Sequence, residues 1–76
     1  MKFKRILKRK VYPTWVSTAR VKGCKAYIFY IPSMDLYHFQ IECDQDVVYI
    51  SLVEDVKFNE FEICCTTAEE WIKNKV

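Results

Sequence analysis

Between Asp35 and Val53 apolar and polar side chains alternate in two runs, DLYHFQIEC and DVVYISLV, that meet at Asp44-Gln45-Asp46. In the first run Tyr37, Phe39, Ile41 and Cys43 interleave with Leu36, His38, Gln40 and Glu42. A period of two places one row on each face of a strand. In the second run Val48, Ile50 and Leu52 form one row, and Val47, Tyr49, Ser51 and Val53 the other. Two such runs around a short polar turn predict a hairpin. Its expected core row is Tyr37, Phe39, Ile41, Val48, Ile50 and Leu52, and its second row is mixed in character.

The neighbouring segments extend this pattern. Trp15 to Lys22 alternates, and Lys22-Gly23 supplies a turn, glycine adopting positive φ freely. Lys25 to Ile31, KAYIFYI, is apolar on both faces, as suits a central strand. Pro32 marks the next turn. Lys57 to Cys65 reads as a further strand, with Phe61, Ile63 and Cys65 on one face and Glu60, Glu62 and Cys64 on the other. Turn signals about ten residues apart indicate an antiparallel meander. Thr67 with Glu70 has the spacing of a capping box, which predicts a helix over 67–75 with Ala68, Trp71 and Ile72 as its apolar stripe and Trp71 as its anchor. Residues 1–11 form a basic arm, read as a short helix or a first strand.

The expected fold is therefore α+β. One small domain carries a four- or five-stranded antiparallel sheet over 12–65, with the C-terminal helix packed on one face. A chain of 76 residues has room for one such unit. Hydrophobic residues make up 51% and aromatic residues 16%, enough for a small core and too much for disorder. No apolar run is long enough to span a bilayer, and the charged start has no signal-peptide core. The expected setting is soluble and cytoplasmic, with no membrane partner.

Charge changes the picture more than composition does. Lys2, Lys4, Arg5, Lys8, Arg9, Lys10, Arg20, Lys22 and Lys25 occupy the first 25 residues with no acid among them, while all ten acids lie from Asp35 onward. The net charge of +2 thus conceals a basic first third and an acidic remainder, a layout that points to a polyanion or to a charged protein surface. One fold-internal explanation is that the basic first strand lies beside the acidic last one.

Candidate chemistry is sparse. A single glycine leaves no phosphate-cradling loop. The four cysteines lack CxxC spacing, and Cys64-Cys65 on a strand would point to opposite faces, so neither metal nor cofactor is expected. With no secretion signal, no disulfide framework is expected either. Cys43 and Cys65 fit the core rows, and Cys24 and Cys64 are expected as exposed thiols. His38 is the lone histidine, with no motif around it, and an enzyme is not expected.

The leading expectation is a non-enzymatic binding protein that occludes or modulates a partner protein, one that itself handles nucleic acid. Small size, Lys/Ile/Glu-rich composition and the lack of a catalytic motif resemble the accessory and inhibitor proteins of phages and mobile elements. The binding surface would combine Leu36, His38, Tyr49, Val53 and Phe58 with Glu60 and Glu62, acid steering a basic partner. The alternative is direct nucleic-acid binding by the nine cations of the first 25 residues, with Phe3, Tyr12 and Trp15 as stacking groups. A second copy of the chain, a homodimer, is the further way to cover the mixed face of the sheet.

Overall fold

A computed structural model describes residues 1–8 and 12–75. Five strands form one antiparallel sheet in sequence order: β1 (Phe3–Ile6), β2 (Thr14–Ser17), β3 (Cys24–Ile31), β4 (Leu36–Cys43) and β5 (Asp46–Ile50). One helix follows, α1 (Phe61–Lys73), and packs on β3 and β4. The expected α+β meander with a C-terminal helix is what the chain forms. The basic arm is a strand over Phe3–Ile6; Arg9, Lys10 and Val11 lie outside the described residues.

The hairpin turns follow from local chemistry. Lys22 and Gly23 both have positive φ, and Val21 and Cys24 exchange backbone hydrogen bonds across them. Asp44 and Gln45 do the same between β4 and β5, with φ of 53° and 71°. Two successive left-handed residues match the twist of the flanking strands. At Gly23 a side chain would face both the left-handed backbone and Asp44 Oδ1.

β4 presents Tyr37, Phe39, Ile41 and Cys43 to α1, as its alternation predicts. β5 departs from its expected rows. Its pairing runs Cys43↔Asp46 and Glu42↔Val47, then slips, so that Ile41 faces Tyr49 and Gln40 faces Ile50. Val48 is the extra residue of a β-bulge. A one-residue slip exchanges the two faces of a strand. Tyr49 therefore packs against Phe39 and Trp71 on the helix side, Val48 is exposed, and Ile50 lies on the opposite face. Ser51 is also drawn inward: its backbone pairs with Phe39 and its Oγ accepts from the Phe39 N–H.

The second departure is the helix start. Residues 57–60 continue without forming a full strand: Phe58 makes one bridge to Tyr37, and Glu60 is the N-cap of a helix that begins at Phe61. Phe61, Cys64, Cys65, Ala68, Trp71 and Ile72 follow the three-and-four spacing of one helical face. Thr67 is interior and caps nothing; its hydroxyl donates to the Ile63 carbonyl one turn back. The far end of α1 is finished from the sheet, where Lys22 Nζ donates to the carbonyls of Lys73 and Lys75, at 2.6 and 2.9 Å. Those carbonyls have no partner within the helix. Glu69 is held well down, at about 2, first by Lys73 and then by the Met1 amine, which ties β1 to the helix.

The core is Ala26, Ile28, Phe39 and Ile41 from the sheet, with Cys64, Cys65, Ala68 and Ile72 from α1. Ile72 rather than Trp71 is the fully buried residue of the last turn, and Trp71 covers Tyr49 at the rim. At the other end Phe61 packs between Trp15 and Tyr37, and Arg5 lies over the Trp15 ring. Cys24 and Cys43, directly opposed on β3 and β4, form a disulfide. Both are buried, as is Cys64, which corrects the expectation of exposed thiols at 24 and 64 and of no disulfide. β1 and β5 occupy opposite edges of the sheet, so the basic first strand and the acidic region are not neighbours.

Candidate functional site

With α1 on one face, no further strand or helix among the described residues covers the other face, although Thr14 on it is fully buried, its Oγ1 donating to the Tyr12 carbonyl. The register defines its rows. Lys4, Val16, Tyr27, Gln40 and Ile50 lie across from one another, and Ile6, Thr14, Phe29 and His38 form the next row. Ile31 and Leu36 make a third. Between β3 and β4 this face sinks into a depression of about 440 Å³ lined by Tyr12, Phe29, Ile31, Met34, His38, Gln40 and Leu52. Its walls are apolar except for the two polar side chains of β4, the usual make-up of a binding cavity.

Phe29 and His38 stack across the two strands at 4.9 Å with 15° between their planes. Each ring therefore spends one of its two faces on the other. The Nδ1 atom of His38 is buried and has no hydrogen-bond partner among the described residues. Burial lowers the imidazole pKa, and the Phe39 backbone offsets this in part from a geometry short of a hydrogen bond. Burial likewise pushes the Cys64 and Cys65 thiols up to about 12, so neither is a thiolate nucleophile at neutral pH. Among the described residues no group of three or more His, Cys, Asp or Glu side chains is placed to hold a metal ion.

The seven residues expected to form one acidic and apolar surface are not brought together. Leu36 and His38 lie on the open face. Tyr49 and Phe58 pack against Phe39 on the helix side. Val53 projects from the turn after β5, and Glu60 and Glu62 sit at the start of α1. The cause is the bulge at Val48 together with the early helix start, which together moved four of the seven off the expected face. Phe29, Ile31, Met34 and Gln40 line the hollow from outside the expected surface, and Leu52, expected in the core row, lines it too and is exposed. The signal for Phe29 and Ile31 is present in KAYIFYI, whose second apolar row has to face something.

The cations divide as well. Lys4 and Lys25 alternate with helix-facing residues and so point to the open face. Arg5 is on the helix side over Trp15. Arg20 donates to the Gly23 carbonyl and to Glu42, and Lys22 is committed to the helix end. Lys2 and Lys8 are exposed at the two ends of β1. Arg9 and Lys10 lie outside the described residues.

No protein-family model, no curated protein and no solved structure matches this chain. Among the described residues no helix is long and apolar enough to cross a membrane.

Proposed function

We propose that this chain is a non-enzymatic binding protein that occludes or modulates a partner protein by laying the open face of its sheet against it. The observation that carries this reading is the depression between β3 and β4, an apolar hollow on a face that no described element covers. Hollows of this kind receive the aromatic or aliphatic anchors on which protein interfaces depend. His38 and Gln40 of β4 supply the polar groups of the hollow itself.

Two features favour a protein over a nucleic acid as the partner. Stacking of bases needs ring faces presented outward, whereas Phe29 and His38 each spend one ring face on the other. A phosphate track needs cations at liberty, and three of the nine, Arg5, Arg20 and Lys22, serve the fold instead. A partner that itself handles nucleic acid is compatible with both.

The test is capture from host lysate on immobilised protein, with and without nuclease. Phe29→Lys or Leu52→Asp should abolish capture, and Glu60→Lys with Glu62→Lys should leave it intact. Capture that survives both face substitutions refutes this reading. Capture lost on nuclease treatment, with affinity falling steeply with salt, assigns the face to nucleic acid instead. A cytoplasmic setting belongs to the same proposal. There the Cys24–Cys43 pair is kept reduced, so finding it oxidised in freshly trapped cells would move the protein to an oxidising compartment.

A further inference from the structure

The charge along the two edges of the sheet has a symmetry of its own. Lys2, Lys4 and Lys8 follow β1 at one edge, with Arg5 turned to the helix side, while Asp44 and Glu54 flank β5 at the other; Asp46 shares the helix side with Cys43, and Asp55 is paired with Lys57. In an antiparallel meander β1 and β5 run in the same direction, so the turns that follow them leave at the same end of the sheet. Those turns carry the two most exposed large apolar residues, Leu7 after β1 at 78% and Val53 after β5 at 75%.

We infer that in the absence of a partner the open face is closed by a second copy of this chain, sheet against sheet, about a two-fold axis parallel to the strands. Such an axis keeps strand direction and exchanges left for right. It sets the basic β1 edge of each copy over the acidic β5 edge of the other, and Leu7 over Val53, twice in one closed dimer. A two-fold axis across the strands would instead set β1 over β1, cation on cation. Pairing of like edges in a continuous sheet meets the same repulsion, charge on edge strands being a standard guard against it. The charge layout thus selects one of the symmetric arrangements.

The area is that of a weak, reversible interface. Strands of 4, 4, 8, 8 and 5 residues, about 4.8 Å apart with about 3.4 Å per residue, offer roughly 470 Å² per copy. The total of roughly 950 Å² falls below stable specific interfaces and among transient ones. Phe29, Ile31 and Tyr27 would meet their counterparts near the axis, since β3 is the middle strand, and Leu36 on β4 would lie over β2 of the other copy. The dimer occupies the same face as the proposed partner, so self-association and capture compete, and the partner must displace a copy to bind.

Sedimentation equilibrium from about 1 μM to about 1 mM protein at low and high salt reads this directly. A monomer–dimer equilibrium is expected, weakened by salt because the edge charges are exposed. Phe29→Lys should raise the dissociation constant at least about 30-fold. Leu52→Asp, at a more exposed position, serves if the first variant fails to fold by circular dichroism. Mild oxidation should cross-link the Leu7→Cys chain to the Val53→Cys chain and neither to itself; Cys64 and Cys65 are too buried to interfere. A monomer at every concentration in low salt overturns the inference, as does a Leu7→Cys chain that cross-links alone. If the chain is monomeric yet loses lysate capture on Phe29→Lys, the dimer fails and the proposed function stands. If it dimerises and captures nothing from lysate, the dimer stands and the proposed function fails.

Discussion

Reducing the Cys24–Cys43 bond should cost this protein a large part of its stability without altering its folded packing. The two residues are separated by 19 positions, and closing a loop of about 20 residues in the unfolded chain is worth about 3 kcal/mol by the chain-entropy relation. A chain of this length has a total of roughly 4–11 kcal/mol. The reduced thiols would keep their places as small apolar groups, so no cavity opens and the loss is almost wholly an unfolded-state effect. Urea unfolding followed by far-ultraviolet circular dichroism, with and without dithiothreitol, provides the measurement. With a slope near 1 kcal/mol/M, as for the smallest domains, the midpoint should fall by about 2–3 M. Thiol titration in denaturant without reductant should find two thiols, Cys64 and Cys65. Four thiols in air-oxidised protein, or one midpoint in both conditions, would refute this reasoning.

Other expectations follow from particular contacts. Tyr49→Ala should destabilise by about 2–4 kcal/mol while Val48→Lys changes stability by less than about 0.5 kcal/mol; unbroken alternation along β5 predicts the reverse order, so a pair of urea melts decides whether the bulge exists. Phe39→Ala, which opens the centre of the core, should cost about 3–5 kcal/mol by the same assay. Cys64 and Cys65 are held protonated, so the stability they contribute is intact below the ordinary thiol pKa of 9.0 and is lost as pH rises toward about 12. The slope should be roughly 1.4 kcal/mol per pH unit for each thiol, and a flat urea midpoint over that window would contradict their burial. His38 has the opposite sign. Its folded pKa is lowered from 6.5, so its contribution is present above that value and lost as pH falls below it. An imidazole titrating by nuclear magnetic resonance at or above 6.5 would place the ring in solvent instead.

Much of the fold can be read from the chain, because strand and turn signals here are local. Phe39, Ile41 and Cys43 alternate into the core as their period requires, and Lys22-Gly23 and Asp44-Gln45 turn where polar residues and glycine permit left-handed backbone. The helix start is legible in principle and ambiguous in practice. Phe61, Ile63 and Cys65 satisfy a period of two as well as Phe61, Cys64, Cys65 and Ala68 satisfy a helical one. What decides is whether Cys64 is counted among the apolar residues. Burial against the sheet makes it one, and the capping pattern at Thr67 is a decoy inside the helix.

The open face is the least legible part. KAYIFYI is apolar on both sides, so nothing local tells which row α1 covers, and the bulge that turns Tyr49 inward and Ile50 outward leaves no mark on β5's own pattern. Sequence alone determined the periods, the turn positions and the division of charge, since each depends on backbone geometry and residue type within a few positions. Only the tertiary structure decided which face is covered, which cysteines meet, and that Lys22 finishes a helix some fifty residues away. Those outcomes rest on contacts between distant residues, and several pairings of similar apolar rows differ too little in energy for one stretch of chain to choose among them.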